Sequence, residues 1–569
     1  MPWAFLIGAA FPFLDPAGWH LRVGGLEWKP IEVGLGLWLM YGLSVGIRNP
    51  GAVRRLRDPV TLLWGLSLLI LLVVNSVGAV DPGAALRMGL RWVAAWALFA
   101  SLRVVRPGPE AARRFLDGFI AGSLMTLLLG LAEGIGEDRV DPWLAWFRTA
   151  PTEVEGFRRW ASIFEHANVA GVWWALAGLA CGFRLHGTSL RTHRWIFGGL
   201  AVAFTAGVLL TYSRGAALIL GTGWALLTLW ERRWGRPKYG LALAVTGIGV
   251  GTVLFCTDSV FRERWWPSGR PWVAARLMPT EFPTSPYPTR QKVVVYNAGA
   301  LRWSWGGRHP VQLAYHLVDE HGRLYCLDVR RYPLPHDVEP GVHQVLEVTV
   351  PAVACAPRCR GRWDLVWERV TWFDPTVQQI MFGIRATGGR LPGRGAASDR
   401  PPECRSGIYL PPPPHVTAVH QAGRVLQRQR VELGRWRLYA LAWDLWRQRP
   451  WVGWGLDAFR LRLAEMAGGV WPTGTVTSNQ MFLEVLVGGG IVGLGLLALW
   501  AIPLIIRLGR RLWASDEGVV YRWMALLIGS TGLWDFMMGF YVVLGLGAIS
   551  AAWGMEVGQV GSRRQADEG

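Results

Sequence analysis

The stretch LLTYSRGAALILG, residues 209–221, sets a single arginine, Arg214, between two apolar runs. A guanidinium there must face water, pair with an anion or mark the end of a membrane helix, because carrying it into hydrocarbon is costly. The flanks favour a helical hairpin. Apolar runs of about bilayer-spanning length, roughly 17 to 25 residues in a helix, lie at 194–211 and 215–230. Similar runs recur at 30–47, 59–76, 87–104, 114–133, 169–185, 239–256, 480–506, 519–536 and 538–556. A shorter one at 2–14 lacks the basic start and small-residue cleavage site of a signal peptide and reads as an uncleaved first span. The last two share one long run, interrupted by Gly-Ser and Asp535. The pattern predicts an α-helical polytopic membrane protein with about twelve transmembrane helices.

Composition agrees. Of 569 residues 51% are hydrophobic and 17% charged, too apolar for a soluble chain of this length and too interrupted for a fibrous one. Lysine is confined to Lys29, Lys238 and Lys292, so nearly all of the +19 formal charge is arginine. Such an excess partly follows genome composition, and no nucleic-acid partner is read from it. The arginines also sort by loop. With the N-terminus inside, inner loops carry Arg48, Arg54, Arg55 and Arg57, then Arg103, Arg106, Arg113 and Arg114, then Arg184, Arg191 and Arg194. Arg232, Arg233, Arg236 and Lys238 follow, then Arg507, Arg510 and Arg511, and finally Arg563 and Arg564. The short outer loop around Asp81 has no such cluster. This is the positive-inside pattern, with both termini cytoplasmic.

The spans divide into N-terminal helices at 1–256 and C-terminal helices at 480–556, with a cytoplasmic tail at 557–569. Between them lies a large outer insertion: a connector at 257–290, a β-sandwich at 291–385, a Pro/Gly/Arg-rich linker at 386–431 containing PPPP, and amphipathic helices at 432–479. The sandwich is read from KVVVYNAG, VQLAYHLVDEHG, VHQVLEVTVPAV and GRWDLVWERVTWF. Val311, Leu313, Tyr315 and Leu317 alternate with other residues, as do Trp363, Leu365 and Trp367, the period of a half-buried strand. The aromatics of WSWGG and VTWF offer platforms for sugars, although such residues in strands are more often core. Cys326, Cys355, Cys359 and Cys404 lie in the insertion, where an oxidising outer face permits disulfides in any of three connectivities. A zinc site is the competing reading, but no His pair stands at ligand spacing beside Cys355 and Cys359.

Four stretches bring polar groups to the outer side. Arg214 follows Tyr-Ser at the start of a helix, where free N–H groups favour anions and a planar guanidinium suits a diphosphate. Its bland reading is an interfacial snorkelling arginine. RRWASIFEHANVAG opens a span at Asn168, which could merely cap that helix, with His166 an ordinary interfacial histidine. GRWRLYALAWDLWRQRPWVGWGLDAF places Trp436, Tyr439, Ala440 and Trp443 on one helix face, as for a helix lying on the membrane surface. SNQMFLEVLVGGGIVGLG puts Asn479 and Gln480 at a span mouth, with close-packing glycines further in.

In order and spacing, these stretches resemble the O-antigen ligase and polymerase family of bacterial membrane glycosyltransferases, over about 1–260 and 432–556 and not over the sandwich. LLTYSRGA is similar to the family's Ser-Arg-Gly segment at Arg214. RWASIFEHANVAG resembles its Arg-x-x-Gly-x-Phe-x-x-Pro-Asn pattern at Arg159, Phe164 and Asn168, with Ser162 and Ala167 in place of Gly and Pro. The segment ending Pro-x-x-Gly-x-Gly matches at Arg435, Pro450, Gly453 and Gly455, with Tyr439 for Trp. The resemblance implies a bacterial cytoplasmic-membrane enzyme that transfers a glycan from a polyprenyl-diphosphate carrier to a saccharide or glycolipid acceptor on the outer face, without metal or other cofactor. It implies that Arg214 and Arg435 hold diphosphate with Arg159 and Asn168 in support, and that Asn479 and Gln480 face the acceptor.

One departure matters. The family carries a histidine before its late amide and Gly-x-x-Gly. Aligning Gly490 and Gly493 places Gln480 at the amide and Asn479 at the histidine. An amide is no general base near neutral pH. Three readings remain: another group activates the acceptor (His166, Glu165, His415 or His420), the amide only orients it, or the chain has kept lipid-diphosphate binding and lost transfer. The last is the rival reading, a non-catalytic glycolipid-binding scaffold. A transporter fits less well, for no inverted repeat is visible and the acidic residue that stands out, Asp535, falls where the outer turn should be.

Overall fold

The computed structural model describes residues 2–14, 21–23, 26–148, 153–154, 157–188, 190–268, 270, 274–306, 310–319, 324–353, 359–368, 371–374, 408–409, 435–459, 461–462, 480–514, 516, 518–531 and 546–555. They form two compact units. One is helical: Met1–Thr152, Arg159–Thr252 and Glu432–Gly569. The other holds the sheets: Glu153–Arg158 and Val253–Val431.

The helices of the first unit are α1 (Pro2–Ala10), α2 (Pro30–Arg48), α3 (Pro59–Val77), α4 (Pro82–Val105), α5 (Pro109–Leu144), α6 (Ala167–Arg184), α7 (Arg191–Leu210), α8 (Arg214–Arg233), α9 (Tyr239–Thr257), α10 (Arg435–Gln448), α11 (Met481–Gly509) and α12 (Gly518–Thr531). A short helix, α13, follows at Leu546–Met555. The first five start on proline, which has no N–H to leave unsatisfied in a first turn. That moves the starts of α4 and α5 several residues ahead of the apolar runs. Among the described residues six helices are long and apolar enough to cross a membrane, or up to seven if the bent pair Gly51–Arg57 and Pro59–Val74 is one span. Leu37, Met40, Leu43 and Ile47 of α2, and Val245, Ile248 and Val253 of α9, are exposed apolar side chains, as expected of a membrane-embedded protein. Asp535 and the turn expected around it lie outside the described residues.

Small residues set the closest crossings. A Cβ on Gly118 of α5 would lie 2.0 Å from the Phe5 carbonyl oxygen, and one on Gly8 would lie 2.3 Å from that of Phe115, so α1 and α5 meet backbone to backbone. Trp64 of α3 stacks on Trp500 of α11 with ring centroids 4.3 Å apart. Short connections make α3–α4, α6–α7 and α7–α8 antiparallel neighbours, and α5 packs beside α6. The C-terminal end of α5, the start of α6 and the α7–α8 turn share one end of the unit.

The sheet-bearing unit contains β1 (Ala275–Met278), β2 (Glu281–Pro283), β3 (Thr289–Asn297), β4 (Val311–Val318), β5 (Leu324–Pro333), β6 (His343–Val350), β7 (Arg360–Trp367), β8 (Thr371–Trp372) and β9 (Ile408–Tyr409). One antiparallel sheet has the order β6-β3-β1, the other β8-β7-β4-β5-β9 with β2 also pairing β7. Alternation placed the inward residues as expected. Val311, Leu313, Tyr315 and Leu317 join Trp363, Leu365 and Trp367 in one buried cluster with Val293, Val295, Leu346 and Val348 of the smaller sheet. Strands begin at Ala275, inside the stretch read as a connector, and β9 lies inside the stretch read as a linker. Trp303 and Trp372 are buried, so two of the aromatics considered as sugar platforms are core, whereas Trp305 is exposed.

Cys326 and Cys359 are disulfide-bonded. Cys326 and Gly361 pair with Leu317 from opposite sides of β4, so β5 and β7 lie two strand spacings apart, roughly 9.5 Å. Cα atoms that far apart cannot be bridged, so Cys326 and Cys359 are not each other's partner. Cys355 and Cys404 lie outside the described residues.

Candidate functional site

The site begins with a buried carboxylate. Glu133 of α5 is fully buried and accepts from Arg148 Nη2 at 2.7 Å and from the Ala161 and Ser162 backbone N–H groups at 3.1 and 2.8 Å. Arg148 is also buried, and a second carboxylate, Asp141, stands 3.7 Å away. The Ser162 hydroxyl donates to the Thr126 carbonyl at 2.6 Å, and Trp174 Nε1 to the Thr126 hydroxyl at 2.9 Å. Ser162 has φ of 54°, the left-handed region that favours glycine, at the position where the resembled pattern carries glycine. Its two hydrogen bonds offset that strain, about 1–2 kcal/mol. Together these contacts fix the loop that precedes α6.

Held by this loop, Arg159 is 8% exposed and bridges two helices. Its Nε donates to the Thr211 carbonyl at 2.8 Å and its Nη2 to Asn168 Oδ1 at 2.7 Å. Thr211 ends α7, and Asn168 is the second residue of α6. Asn168 therefore does not cap α6: His166 occupies the cap position, without a side-chain cap bond, and is exposed. Gly171 admits the α7–α8 turn, since a Cβ there would meet Ala216 Cβ at 2.6 Å and Thr211 Oγ1 at 2.8 Å. Within the turn Tyr212 has φ of 52°, and Ser213 caps α8 by accepting from the Ala216 N–H at 3.3 Å. Arg214, the first residue of α8, is exposed and makes no hydrogen bond or ion pair among the described residues. Three residues singled out in the sequence, Arg159, Asn168 and Arg214, thus meet at one end of α6, α7 and α8. The Glu133–Arg148 pair was missed. Its signal was the charge in EGIGEDRVDP closing an apolar run.

The late segments form a second assembly. The buried side of α10 is Leu438, Ala442 and Leu445, packed with Phe459 and Val487. Tyr439 is half-buried, whereas Ala440 and Trp443 are exposed, so the aromatic stripe is not the packed face. The following PWVGWG runs along α11 where that helix breaks at Gly490, with φ 63° and ψ −160°. Trp454 and Gly455 donate backbone N–H bonds to the Val487 and Gly488 carbonyls at 2.8 Å, while Ile491 and Val492 donate to those of Pro450 and Trp451 at 2.9 and 3.1 Å. A Cβ on Gly490 would lie 2.2 Å from the Trp451 carbonyl oxygen, and one on Gly453 would lie 2.5 Å from Gly488. The glycines of the two motifs are each other's partners. Val80 N–H donates to the Trp454 carbonyl at 3.0 Å, which ties this assembly to the α3–α4 turn.

Gln480 stands at the N-terminus of α11 and its Oε1 accepts from the Leu483 N–H at 2.6 Å, a helix cap. Asn479, His415 and His420 lie outside the described residues, as does the side chain of Arg435, the first residue of α10. Among the described residues no group of three or more His, Cys, Asp and Glu side chains is placed to hold a metal. The sheet-bearing unit does contain a buried pair: His316 Nε2 lies 3.7 Å from Asp364 Oδ2, and His316 Nδ1 accepts the Asp328 N–H at 2.9 Å. Burial pushes the Asp364 carboxyl above its usual range, with His316 opposing the shift. Compared with known proteins, the chain matches no protein-family model and no curated protein.

Proposed function

We propose that this protein is a polytopic glycosyltransferase of a bacterial cytoplasmic membrane. On this reading about twelve helices span the bilayer, both termini are cytoplasmic, and the sheet-bearing unit is an extracytoplasmic β-sandwich. A glycan on a polyprenyl diphosphate is passed to a saccharide or glycolipid acceptor, as in assembly of a surface polysaccharide by the O-antigen ligases and polymerases that the sequence resembles. One observation carries the proposal: an exposed arginine without an ion-pair partner among the described residues starts α8, beside an arginine that braces its turn.

The division of labour follows from that difference. Arg159 is engaged by Thr211 and Asn168, so it holds the α7–α8 turn in place. Arg214 and the first N–H groups of α8 receive the diphosphate. The acceptor hydroxyl attacks the anomeric carbon, the bond from that carbon to the diphosphate oxygen breaks, and the lipid diphosphate leaves with the bonding pair. Its charge grows as the bond breaks, and a fixed guanidinium stabilises that charge most in the transition state. The hydroxyl proton needs a base. His166, two residues before Asn168 and exposed, takes that role here in place of the histidine that Asn479 replaces.

The test is transfer from a labelled polyprenyl-diphosphate glycan to envelope acceptor by purified protein. Arg214→Ala should lower turnover by about 10²–10³-fold, the usual loss when one donor to developing charge is removed, with an unchanged melting profile. Unchanged turnover would remove Arg214 from the site. Tight binding by the wild type without release of lipid diphosphate would establish the scaffold reading instead.

A further inference from the structure

The outer face of the smaller sheet carries a patch that the core does not explain. Its strands run β6-β3-β1. Tyr296 of β3 has Arg276 of β1 and His343 of β6 directly opposite, and two residues away Val294 lies between Met278 and Val345. Further along, Lys292 stands opposite Glu347, and Arg290 opposite Thr349. Residues directly opposite share a face of the sheet. Alternation turns these outward, while Val293, Val295, Leu346 and Val348 point into the core. With strands about 4.8 Å apart and about 3.4 Å of rise per residue, the patch measures roughly 10 by 25 Å.

One row is apolar yet turned outward: Met278 is 66% exposed and Val345 53%. On a sheet with one buried face the outward residues are ordinarily polar. The rows on either side are cationic. Arg276 and Arg290 are exposed, and neither side chain makes a hydrogen bond or a close ion pair among the described residues. Lys292 is paired with Glu347 at 2.9 Å, and Arg290 acts on the same carboxylate from further off. That one carboxylate on the outward side of the three strands stands against three cations, so the face is positive.

An apolar row beside a tyrosine, flanked by arginine and lysine, suits the surface of an anionic bilayer. Apolar side chains enter between head groups, tyrosine sits at their level, and the cations meet phosphate. A glycan fits less well, because its hydroxyls would lose water against Met278 and Val345 without gaining hydrogen bonds. A bilayer is also within reach: α9 ends at Thr257 and β1 begins at Ala275, 18 residues on, a length of chain that spans at most about 65 Å. We propose that this face docks the sheet-bearing unit on the head groups of an anionic lipid bilayer. None of these residues belongs to the proposed transfer centre, so the docking holds whether or not transfer occurs.

The test uses the full chain with a bimane label attached through Thr349→Cys, in a Cys256→Ser background because Cys256 is an exposed free thiol and Cys181 a buried one. The protein is reconstituted in vesicles of phosphatidylcholine, alone or with phosphatidylglycerol, each containing a head-group spin-labelled lipid that quenches bimane on contact. Quenching should be strong with phosphatidylglycerol and weak without it. Each arginine beside an anionic surface is worth about fivefold, so Arg276→Gln with Arg290→Gln should lower the ratio of docked to undocked unit by about 25-fold. Met278→Ser with Val345→Ser should lower it while all three cations remain. Equal quenching in the two lipids would overturn the proposal, as would quenching that survives the arginine double variant in full. Absence of lipid quenching, with bimane emission shifted by soluble polygalacturonate and not by dextran, would make an acidic glycan the partner and overturn the lipid assignment.

Discussion

Substituting Gly490 by alanine should undo the join between PWVGWG and α11. The backbone at this residue, φ 63° and ψ −160°, is in a region that side chains essentially do not enter, and holding alanine there costs about 1–3 kcal/mol. Space makes matters worse. The new Cβ would fall 2.2 Å from Trp451 O, 2.3 Å from Trp451 C and 2.6 Å from Val452 N, all backbone atoms that no side-chain rotation can clear. Relief requires residues 450–455 to leave the helix, which forfeits the bonds between Trp454 and Val487, Gly455 and Gly488, Ile491 and Pro450, and Val492 and Trp451. At about 0.5–1.5 kcal/mol net per bond they contribute roughly 2–6 kcal/mol. Those bonds set what docking is worth, and the strain of about 1–3 kcal/mol is the least that the substitution takes from it, so opening should be populated at least about 10-fold more often. Hydrogen exchange of peptides covering 450–456, followed by mass spectrometry, reads this directly. Gly495→Ala on the same helix is the control, because a Cβ there meets nothing within 4 Å. Native protection of 450–456 in Gly490→Ala would refute the account of these glycines.

Two further outcomes follow from buried charge. Glu133→Ala leaves Arg148 buried without its 2.7 Å partner, and the helical unit should lose about 3–5 kcal/mol; Glu110→Ala, an exposed carboxylate, should leave the melting temperature unchanged in the same measurement. In the sheet-bearing unit, Asp364 has a folded-state pKa raised by burial. Its contribution is therefore complete below the unfolded carboxyl value and is lost as pH rises through the raised one. Exchange protection of 311–318 and 360–367, corrected for intrinsic rates, should fall over that rise in wild type relative to Asp364→Asn, and parallel pH profiles for the two proteins would exclude Asp364 as the source.

What was legible in the sequence is local. Apolar runs marked the positions of α2, α3, α7 and α9, since a helix that faces lipid must be apolar along its length. Alternation marked β4 and β7, but not that their other faces are buried as well, where Ala314 and Val366 join Leu327 and Trp372 in a second cluster. Arg159, Asn168 and Arg214 were picked out one at a time, but a sequence pattern does not record that Arg159 spends its guanidinium on Thr211 and Asn168. The stripe of Tyr439, Ala440 and Trp443 was legible as one face of α10, but the opposite packed side, Leu438, Ala442 and Leu445, was not, because both sets share the helical period. The partnership of Gly453 with Gly488 had no local signature at all. Both stretches are glycine-rich, yet only the fold shows that each leaves room for the other's backbone.

Glu153–Arg158 group with the sheets, although the chain re-enters the helical unit at Arg159. Phe157 meets Trp367 edge to face with ring centroids 5.0 Å apart. The sheet-bearing unit is thus sewn into the chain at two places, and it is not a cassette that can be lifted out at one. Excising 253–431 alone would strand Phe157 without its companion, two residues upstream of the arginine that braces the α7–α8 turn. Anyone trimming the protein for study has to recut both seams together.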